Sequence, residues 1–134
     1  MKISSKGRYA VRVLCEIAQS DQPFISATEI AEKQNISIKY LERILNILLK
    51  ANLIESQMGA TGGYKLSKSP AHYSIAEILT ATGDIIELAP CQVSGYKCQQ
   101  IDKCPTCDYW QNLANIIYKE LNKVSLNDIL HKKY

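Results

Sequence analysis

Residues 26–49, SATEIAEKQNISIKYLERILNILL, decide the fold, because they contain two helices and the tight turn between them. Ser26 and Glu29 have the spacing of a capping box and predict a short helix. Asn35-Ile36 forms the turn, and Ser37 caps a second, longer helix. The apolar residues of that helix recur at helical spacing along one face, at Leu41, Ile44, Leu45, Leu48 and Leu49. This stretch therefore predicts a helix-turn-helix.

The flanking segments extend this unit to a winged helix. Upstream, Ser4 or Ser5 caps a first helix with its own apolar face. Downstream, the strand-like runs 53–56 and 64–67 enclose a turn that contains Gly59, Gly62 and Gly63. Three helices followed by a glycine-rich hairpin predict a winged helix-turn-helix over residues 1–82. The fold class is therefore mainly α with a small β-hairpin.

The rest of the chain is predicted to be a loop and a second helical region. A capping box at Ser74 and Glu77 starts a helix that ends near residue 82. Residues 83–104 have the composition of a loop. Pro105 suits the first position of a long helix, so residues 105–134 form a C-terminal helical region. Ser125 caps a last short helix.

Charge is distributed unevenly along the chain. Residues 1–68 contain ten Lys or Arg and six Asp or Glu, a net charge of +4, whereas residues 69–134 have a net charge of −1. A phosphate-binding surface is therefore expected in the first half. No segment approaches the roughly 20 apolar residues of a membrane span, so we expect a cytoplasmic protein. No catalytic dyad, phosphate loop or cofactor fingerprint is present, which argues against an enzyme.

Double-stranded DNA is the expected partner, because the second helix of such a unit fits the major groove and the hairpin reaches the flanking backbone or minor groove. The candidate base contacts lie off the apolar face near the start of this helix, at Ser37, Lys39, Tyr40, Glu42 and Arg43. The candidate phosphate contacts are Lys2, Lys6, Arg8 and Lys65, and Thr28 is a further candidate DNA contact. A winged helix that binds protein is the alternative.

Four cysteines lie close together, with the spacing Cys91-x6-Cys98-x5-Cys104-x2-Cys107. Thiolates are soft ligands that suit zinc or an iron–sulfur cluster, and four of them complete either site. Structural zinc sites usually have two tight cysteine pairs, and here only the last two cysteines form one. The spacing therefore favours an iron–sulfur cluster over zinc. Cys15 lies beside the apolar face of the first helix and is expected to be a core residue.

Several motifs resemble one family of bacterial regulators. They are the opening residues 1–11, MKISSKGRYAV; Ser37-x-x-Tyr40-Leu41-Glu42; Gly62-Gly63-Tyr64; and Cys104-x-x-Cys107-x-x-Trp110. Together they are similar to the IscR/NsrR/CymR family of winged-helix transcription regulators, with most similarity to its IscR-like members. The similarity extends along nearly the whole chain.

The resemblance implies a homodimer built on the helix from Pro105 and a pseudo-palindromic operator. It also implies one 2Fe–2S cluster per subunit, with control of iron–sulfur assembly genes, although four thiolates also accept a 4Fe–4S cluster. Cys91, Cys98 and Cys104 match the family's cysteine ligands, and Cys107 replaces a usual histidine. Glu42 matches a discriminating residue of the recognition helix.

Two features depart from the family pattern in the DNA-binding half. The hairpin Gly62-Gly63-Tyr64 matches the family's wing, but Met58 occupies the position of a common arginine. Arg8 lies where NsrR-like proteins have an acidic cluster ligand. Two other functions stay open: a zinc-stabilised winged helix without sensing, and a redox sensor in which Cys104 and Cys107 form a disulfide.

Overall fold

The computed structural model describes residues 2–134, which form six helices and one two-stranded antiparallel sheet. The helices are α1 (Ser5–Ala18), α2 (Ala27–Gln34), α3 (Ile38–Lys50), α4 (Ile75–Ala81), α5 (Cys107–Lys123) and α6 (Leu126–His131). The strands are β1 (Ile54–Gln57) and β2 (Gly63–Leu66), each displaced by one residue from the predicted runs. The order of these elements confirms a mainly α fold with one small hairpin.

Serine side chains cap all the described helices except α5. The serines accept a hydrogen bond from the backbone N–H three residues later, as predicted, at Ser4, Ser26, Ser37, Ser74 and Ser125. The acidic halves of the two predicted capping boxes are absent, however. Glu29 forms an ion pair with Lys33 at 3.0 Å, and Glu77 forms one with Lys68 at 2.8 Å.

The prediction that the long helix begins at Pro105 is wrong, because α5 begins at Cys107. The N–H of Trp110 donates to the carbonyl of Thr106 at 3.1 Å, so Pro105 lies before the first helical turn. Thr106 makes no capping bond, and its hydroxyl instead contacts the sulfur of Cys104 at 3.4 Å. The residue before α5 therefore contacts the cysteine loop instead of capping the helix.

The core joins the first helices to the end of the chain. It is formed by α1, α2, α3, α4 and the start of β1, and it includes Leu126 of α6, which is fully buried. The backbone of α6 is fixed at the same place, since Leu126 N–H donates to Tyr73 O and Ile75 N–H donates to Val124 O, both at 3.0 Å. The C-terminal end of α5 is thus anchored to the winged-helix core.

One buried tyrosine fixes the base of the hairpin. The Tyr73 hydroxyl donates to Leu53 O at 2.6 Å and accepts from the N–H groups of Ser67 and Lys68 at 2.9 and 3.2 Å. These groups immediately precede β1 and follow β2. A single side chain therefore satisfies backbone groups on both sides of the hairpin base.

None of the helices described between residues 2 and 134 has the length and apolar character needed to cross a membrane.

Candidate DNA interface and cysteine loop

The exposed face of α3 carries a mixed set of polar side chains. Lys39, Glu42 and Arg43, all predicted base contacts, are exposed there. Asn46 is exposed on the same face, three residues beyond Arg43, and was not among the predicted base contacts. Asparagine is suited to bidentate recognition of adenine, as arginine is to guanine. Because residues three apart share a face of a helix, the position of Arg43 is enough to predict Asn46 as a base contact.

Tyr40 differs from its neighbours because it is half-buried. Its ring makes an edge-to-face contact with Tyr9 of α1, with centroids 5.7 Å apart. The guanidinium of Arg12 lies 4.8 Å from the centre of the Tyr9 ring and donates through Nε to Gln34 Oε1 at 2.8 Å. An aromatic and cationic contact therefore links α1, the end of α2 and the start of α3.

The candidate DNA contacts before and within α1, and the one on α2, are exposed. Lys2, Lys6 and Thr28 are exposed to solvent, and so is Ser37, which caps α3. The Arg8 guanidinium donates to Ser5 Oγ at 3.2 Å. Exposed cations at the start of a helix can contact a DNA backbone without reading its sequence.

The positive charge of the wing lies on its second strand, at Lys65, and not at its tip. Lys65 Nζ lies 3.2 Å from Glu55 Oε2, its cross-strand partner, and 5.3 Å from the centre of the Phe24 ring. At the tip, Met58 is 95% exposed, and no charged residue lies between Gln57 and Tyr64. The tip therefore presents an apolar side chain.

The paired glycines of the wing allow close backbone approach. A Cβ atom on Gly63 (φ +144°) would overlap the carbonyl of Ile25, and one on Gly62 would overlap the carbonyl of Gln57. Tyr64 can therefore exchange both backbone hydrogen bonds with Ile25, at 2.9 and 3.0 Å. These contacts tie the wing to the segment that precedes α2.

The four clustered cysteines lie before and at the start of α5, and all four are half-buried. Cys91 lies in a short turn of 3-10 helix, Pro90–Gln92, and Cys107 is the first residue of α5. The Gln92 side chain folds the chain back by accepting from the N–H groups of Leu88 and Ala89, at 2.5 and 3.0 Å. The fifth cysteine, Cys15, packs against the core, as predicted.

Neighbouring groups shift the pKa values of two of these thiols, Cys104 and Cys107. Burial raises the pKa of Cys107, and the neighbouring Cys91 and then Cys104 raise it further. The pKa of Cys104 is lowered, first by the Thr106 hydroxyl and then by the N–H groups of Thr106 and Cys107. Cys104 is consequently the thiol most readily ionised among those whose pKa departs from the ordinary value.

The cysteine loop contains thiols that suit a thiophilic metal centre, but it does not group them into a metal site. Across residues 2–134 no three His, Cys, Asp or Glu side chains are grouped to bind a metal ion. Cys98 is not among the thiols that shift the pKa of Cys107. Binding of a cluster by all four thiolates would therefore require the loop to bring the four cysteines, Cys98 included, closer together.

Comparison with known proteins places this fold among transcriptional regulators. Residues 3–132 match the profile of the family Rrf2, described as an iron-dependent transcriptional regulator. The chain is 33% identical over 134 residues to the HTH-type transcriptional regulator IscR of Escherichia coli O1:K1 / APEC, covering 99% of this chain and 82% of that protein. The IscR of Cronobacter sakazakii strain ATCC BAA-894 matches with the same values.

Solved structures show the same architecture. CymR of B. subtilis, called the global cysteine regulator, has a TM-score of 0.77 and 26% identity, covering 100% of this chain and 99% of its own. T. potens IscR has a TM-score of 0.76 and 29% identity, covering 100% and 89%. An oxidized form of Staphylococcus aureus CymR has a TM-score of 0.74 and 29% identity, covering 100% and 98%.

These findings confirm the predicted winged helix-turn-helix and the resemblance to IscR and CymR. They also confirm that the chain is not an enzyme, because the relatives are named as transcriptional regulators. With nearly its whole length matched, the chain belongs to the Rrf2 family of transcriptional regulators.

Proposed function

We propose that this regulator binds a pseudo-palindromic operator as a homodimer and that its cysteine loop senses iron–sulfur status through a bound cluster. The observation that carries the sensing role is that four half-buried cysteines lie just before and at the start of α5, where Cys91 and Cys104 are near enough to raise the pKa of Cys107. Thiolate ligands of this kind suit iron–sulfur clusters. When bound, the cluster would supply a redox-active centre whose presence reports on iron and sulfide supply.

The chain's own residues have separable roles in this function. Lys39, Glu42, Arg43 and Asn46 present the polar face of α3 to base edges, while the cations of α1 contact phosphates. In a dimer, the two copies of α3 would enter major grooves about 34 Å apart. A change in the cysteine loop would alter their relative position through α5.

Two copies of the chain are expected to meet along α5. Tyr109 and Ile116 are 58% and 48% exposed on this helix, although both are large and apolar. Ile116 also borders an apolar groove with Ile117, Val124 and Ile129. Contiguous exposed apolar surface of this kind is typical of an interface.

The test is anaerobic purification followed by an absorption spectrum and by iron, sulfide and zinc counts. We expect a coloured protein with iron and sulfide in equal amounts, and loss of both in Cys107→Ala. Cys15→Ala is the matched control, because it removes a thiol outside the loop and should keep the colour. One zinc per chain and no colour would instead favour the zinc-stabilised winged helix.

A thiol-redox sensor is the second candidate, and the lowered pKa of Cys104 favours it. Because Cys107 is three residues further on and Cys104 is near enough to raise its pKa, the two thiols could give up two electrons and two protons to a disulfide oxidant and form one S–S bond. Mass spectrometry of metal-free protein treated with oxidised glutathione would then show a loss of about two daltons from the Cys104–Cys107 pair. Stable mixed adducts or free thiols would argue against this sensor.

A further inference from the structure

The start of α1 is capped by a carboxylate from a distant part of the chain. Ser4 Oγ accepts from the N–H of Gly7 at 3.0 Å, as a capping serine does. Ser4 also donates twice to Asp84: its N–H lies 2.9 Å from Oδ1 and its hydroxyl 2.8 Å from Oδ2. Asp84 is 80 residues away in sequence.

The same set of bonds occurs at α6 within a single turn. Ser125 donates from its N–H and its hydroxyl to the Asp128 carboxylate, at 2.9 and 2.6 Å, and accepts from the Asp128 N–H at 3.1 Å. There the acid is the third residue of the helix, as in an ordinary capping box. In α1 that third position is Gly7, and Asp84 supplies the missing carboxylate. We call the group formed by Ser4, Gly7 and Asp84 the split cap.

Gly7 makes the split cap possible. A Cβ atom at this position would overlap Asp84 Oδ2 and would lie 2.9 Å from a methyl carbon of Leu79. The absence of a side chain therefore leaves the space that the carboxylate occupies. Gly7 has no positive φ to explain it, so close approach is the physical reason for this glycine.

Asp84 lies where the cysteine loop leaves α4. The chain turns at Gly83 (φ +82°), and the Asp84 N–H donates to Leu79 O at 2.9 Å. Thr82 Oγ1 donates to Asp84 Oδ2, also at 2.9 Å, which fixes the carboxylate from the side of α4. Its position is thus set by the first residues of the loop.

The next residues of the loop reach α5. Ile85 and Ile86 line a cavity together with Leu79 of α4 and with Tyr118 and Leu121 of α5. A displacement of α5 or of the loop would therefore act on the residues adjoining Asp84. Through Ser4, it would reach the segment that carries Lys2, Lys6 and Arg8.

We propose that Asp84 is a positioning residue that couples the cysteine loop to the start of α1 and its candidate phosphate contacts. This inference rests on the proposed function, because it assigns a path to the signal that the loop would produce. The split cap transmits the signal because its two hydrogen bonds join Asp84 of the loop to Ser4, the residue that caps α1. Its matched counterpart at α6 has the same hydrogen bonds but no connection to the loop.

The experiment compares wild type with Asp84→Asn and with the control Asp128→Asn. The amide of Asn has one accepting oxygen and cannot serve both Ser4 groups and Thr82, so the split cap loses a bond. Asp128→Asn removes the same charge at α6, where both Ser125 bonds reach the single oxygen Oδ2 and an amide oxygen can keep them. Hydrogen exchange of the peptide covering residues 2–10 is measured in anaerobically loaded protein and after chelator treatment. Operator affinity is measured in both states on a duplex enriched from a random pool.

In wild type and Asp128→Asn, we expect exchange at residues 4–8 and operator affinity to differ between the two states by about fivefold or more. In Asp84→Asn, both differences should shrink to less than about twofold. The inference is overturned if wild-type exchange at residues 4–8 is the same in both states, or if Asp84→Asn keeps the wild-type difference.

Failure of the proposed function has a different signature. A wild type that binds no cluster refutes cluster sensing, and the same exchange comparison is then made between protein with reduced loop thiols and protein oxidised by glutathione disulfide. A split cap that still responds supports the coupling. If Asp84→Asn does not fold, Ser4→Ala and its control Ser125→Ala give the same comparison.

Discussion

At the residue scale, the structure gives a physical reason for individual residues whose roles the local sequence does not reveal. The sequence identified Ser4 as a cap, but it offered no sign that the matching acid lies 80 residues away. A glycine inside a helix ordinarily weakens it, and Gly7 has no positive φ to account for its presence in α1. Only the three-dimensional contact shows that its missing Cβ has a purpose. Long-range polar contacts of this kind leave no periodic signal in a sequence.

Substitution of Gly7 by alanine should destabilise the protein, although the same change in an exposed helix usually stabilises it by about 0.5–1 kcal/mol. The added methyl group would push Asp84 out of the split cap and crowd Leu79, with an expected cost of about 1–3 kcal/mol. Urea unfolding measures the change. In a double-mutant cycle with Asp84→Ala the cost should largely disappear, and an undiminished cost would contradict the assigned contact.

Asp84 should also make stability depend on pH. Burial raises the pKa of Asp84, but the hydrogen bonds from Ser4 and Thr82 outweigh burial and hold the pKa below its ordinary value of 3.8. Because the folded state favours the ionised form, its stabilisation is fully present above pH 3.8 and is lost as the pH falls through the lower, folded value. Unfolding titrations should therefore show that wild type and Asp84→Asn converge in acid. A constant difference down to about pH 3 would refute this role.

At the element scale, the helices were the most predictable parts of the fold. Their serine caps and apolar faces are local signals, so all five serine-capped starts were found within a residue. The start of α5 was missed because Thr106 contacts Cys104 instead of capping the helix. The partners of Glu29 and Glu77 were also missed, since a lysine within reach competes with the backbone for a carboxylate.

The hairpin depends on Tyr73, and removal of its hydroxyl should loosen the wing. Tyr73→Phe leaves the Lys68 N–H without its buried partner, and leaves Leu53 O and Ser67 N–H only their 3.3 Å bond to each other, at an expected cost of about 1–3 kcal/mol. Chemical unfolding and amide exchange of β1 and β2 measure the effect. Tyr118→Phe, in an exposed part of α5, should change neither quantity. Wild-type exchange in the Tyr73 variant would contradict the proposed support.

The exposed face of α3 should divide into residues that read bases and residues that bind phosphate. We expect Arg43→Ala to lose about 1–3 kcal/mol of operator binding and to relax specificity at one base position. Lys119→Ala, which removes a similar exposed charge from α5, is the control and should keep both. The measurement is fluorescence anisotropy on a panel of single-base operator variants. A uniform loss on every duplex would instead assign Arg43 to phosphate binding.

At the scale of the whole molecule, α5 is held differently at its two ends. Its C-terminal end is fixed to the core through Tyr73 and Leu126, whereas its first residue, Cys107, belongs to the cysteine loop. The predicted boundaries at residues 82 and 104 stay predictions, but α6 packs in the same core as α1. Local motifs predicted the winged helix and the C-terminal helices separately. They carried no sign that Leu126 of α6 is buried in the core of the winged helix.

If α5 forms the dimer, a charge on its exposed apolar face should separate the subunits. Ile116→Asp is expected to give a monomer in analytical ultracentrifugation and to weaken operator binding by at least about tenfold, because half of the phosphate and base contacts are lost. Asn122→Asp adds the same charge at an exposed polar position of α5 and should stay dimeric. A dimeric Ile116→Asp protein would place the interface elsewhere.

The burial of Leu126 has a consequence for the way the protein is made. During synthesis, residues 2–82 leave the ribosome long before Leu126 and must wait with part of their apolar surface uncovered. The core closes only after the cysteine loop and α5 have also emerged. A nascent chain thus completes its DNA-binding half last, so a prematurely terminated product would expose apolar surface to chaperones and proteases instead of competing for the operator.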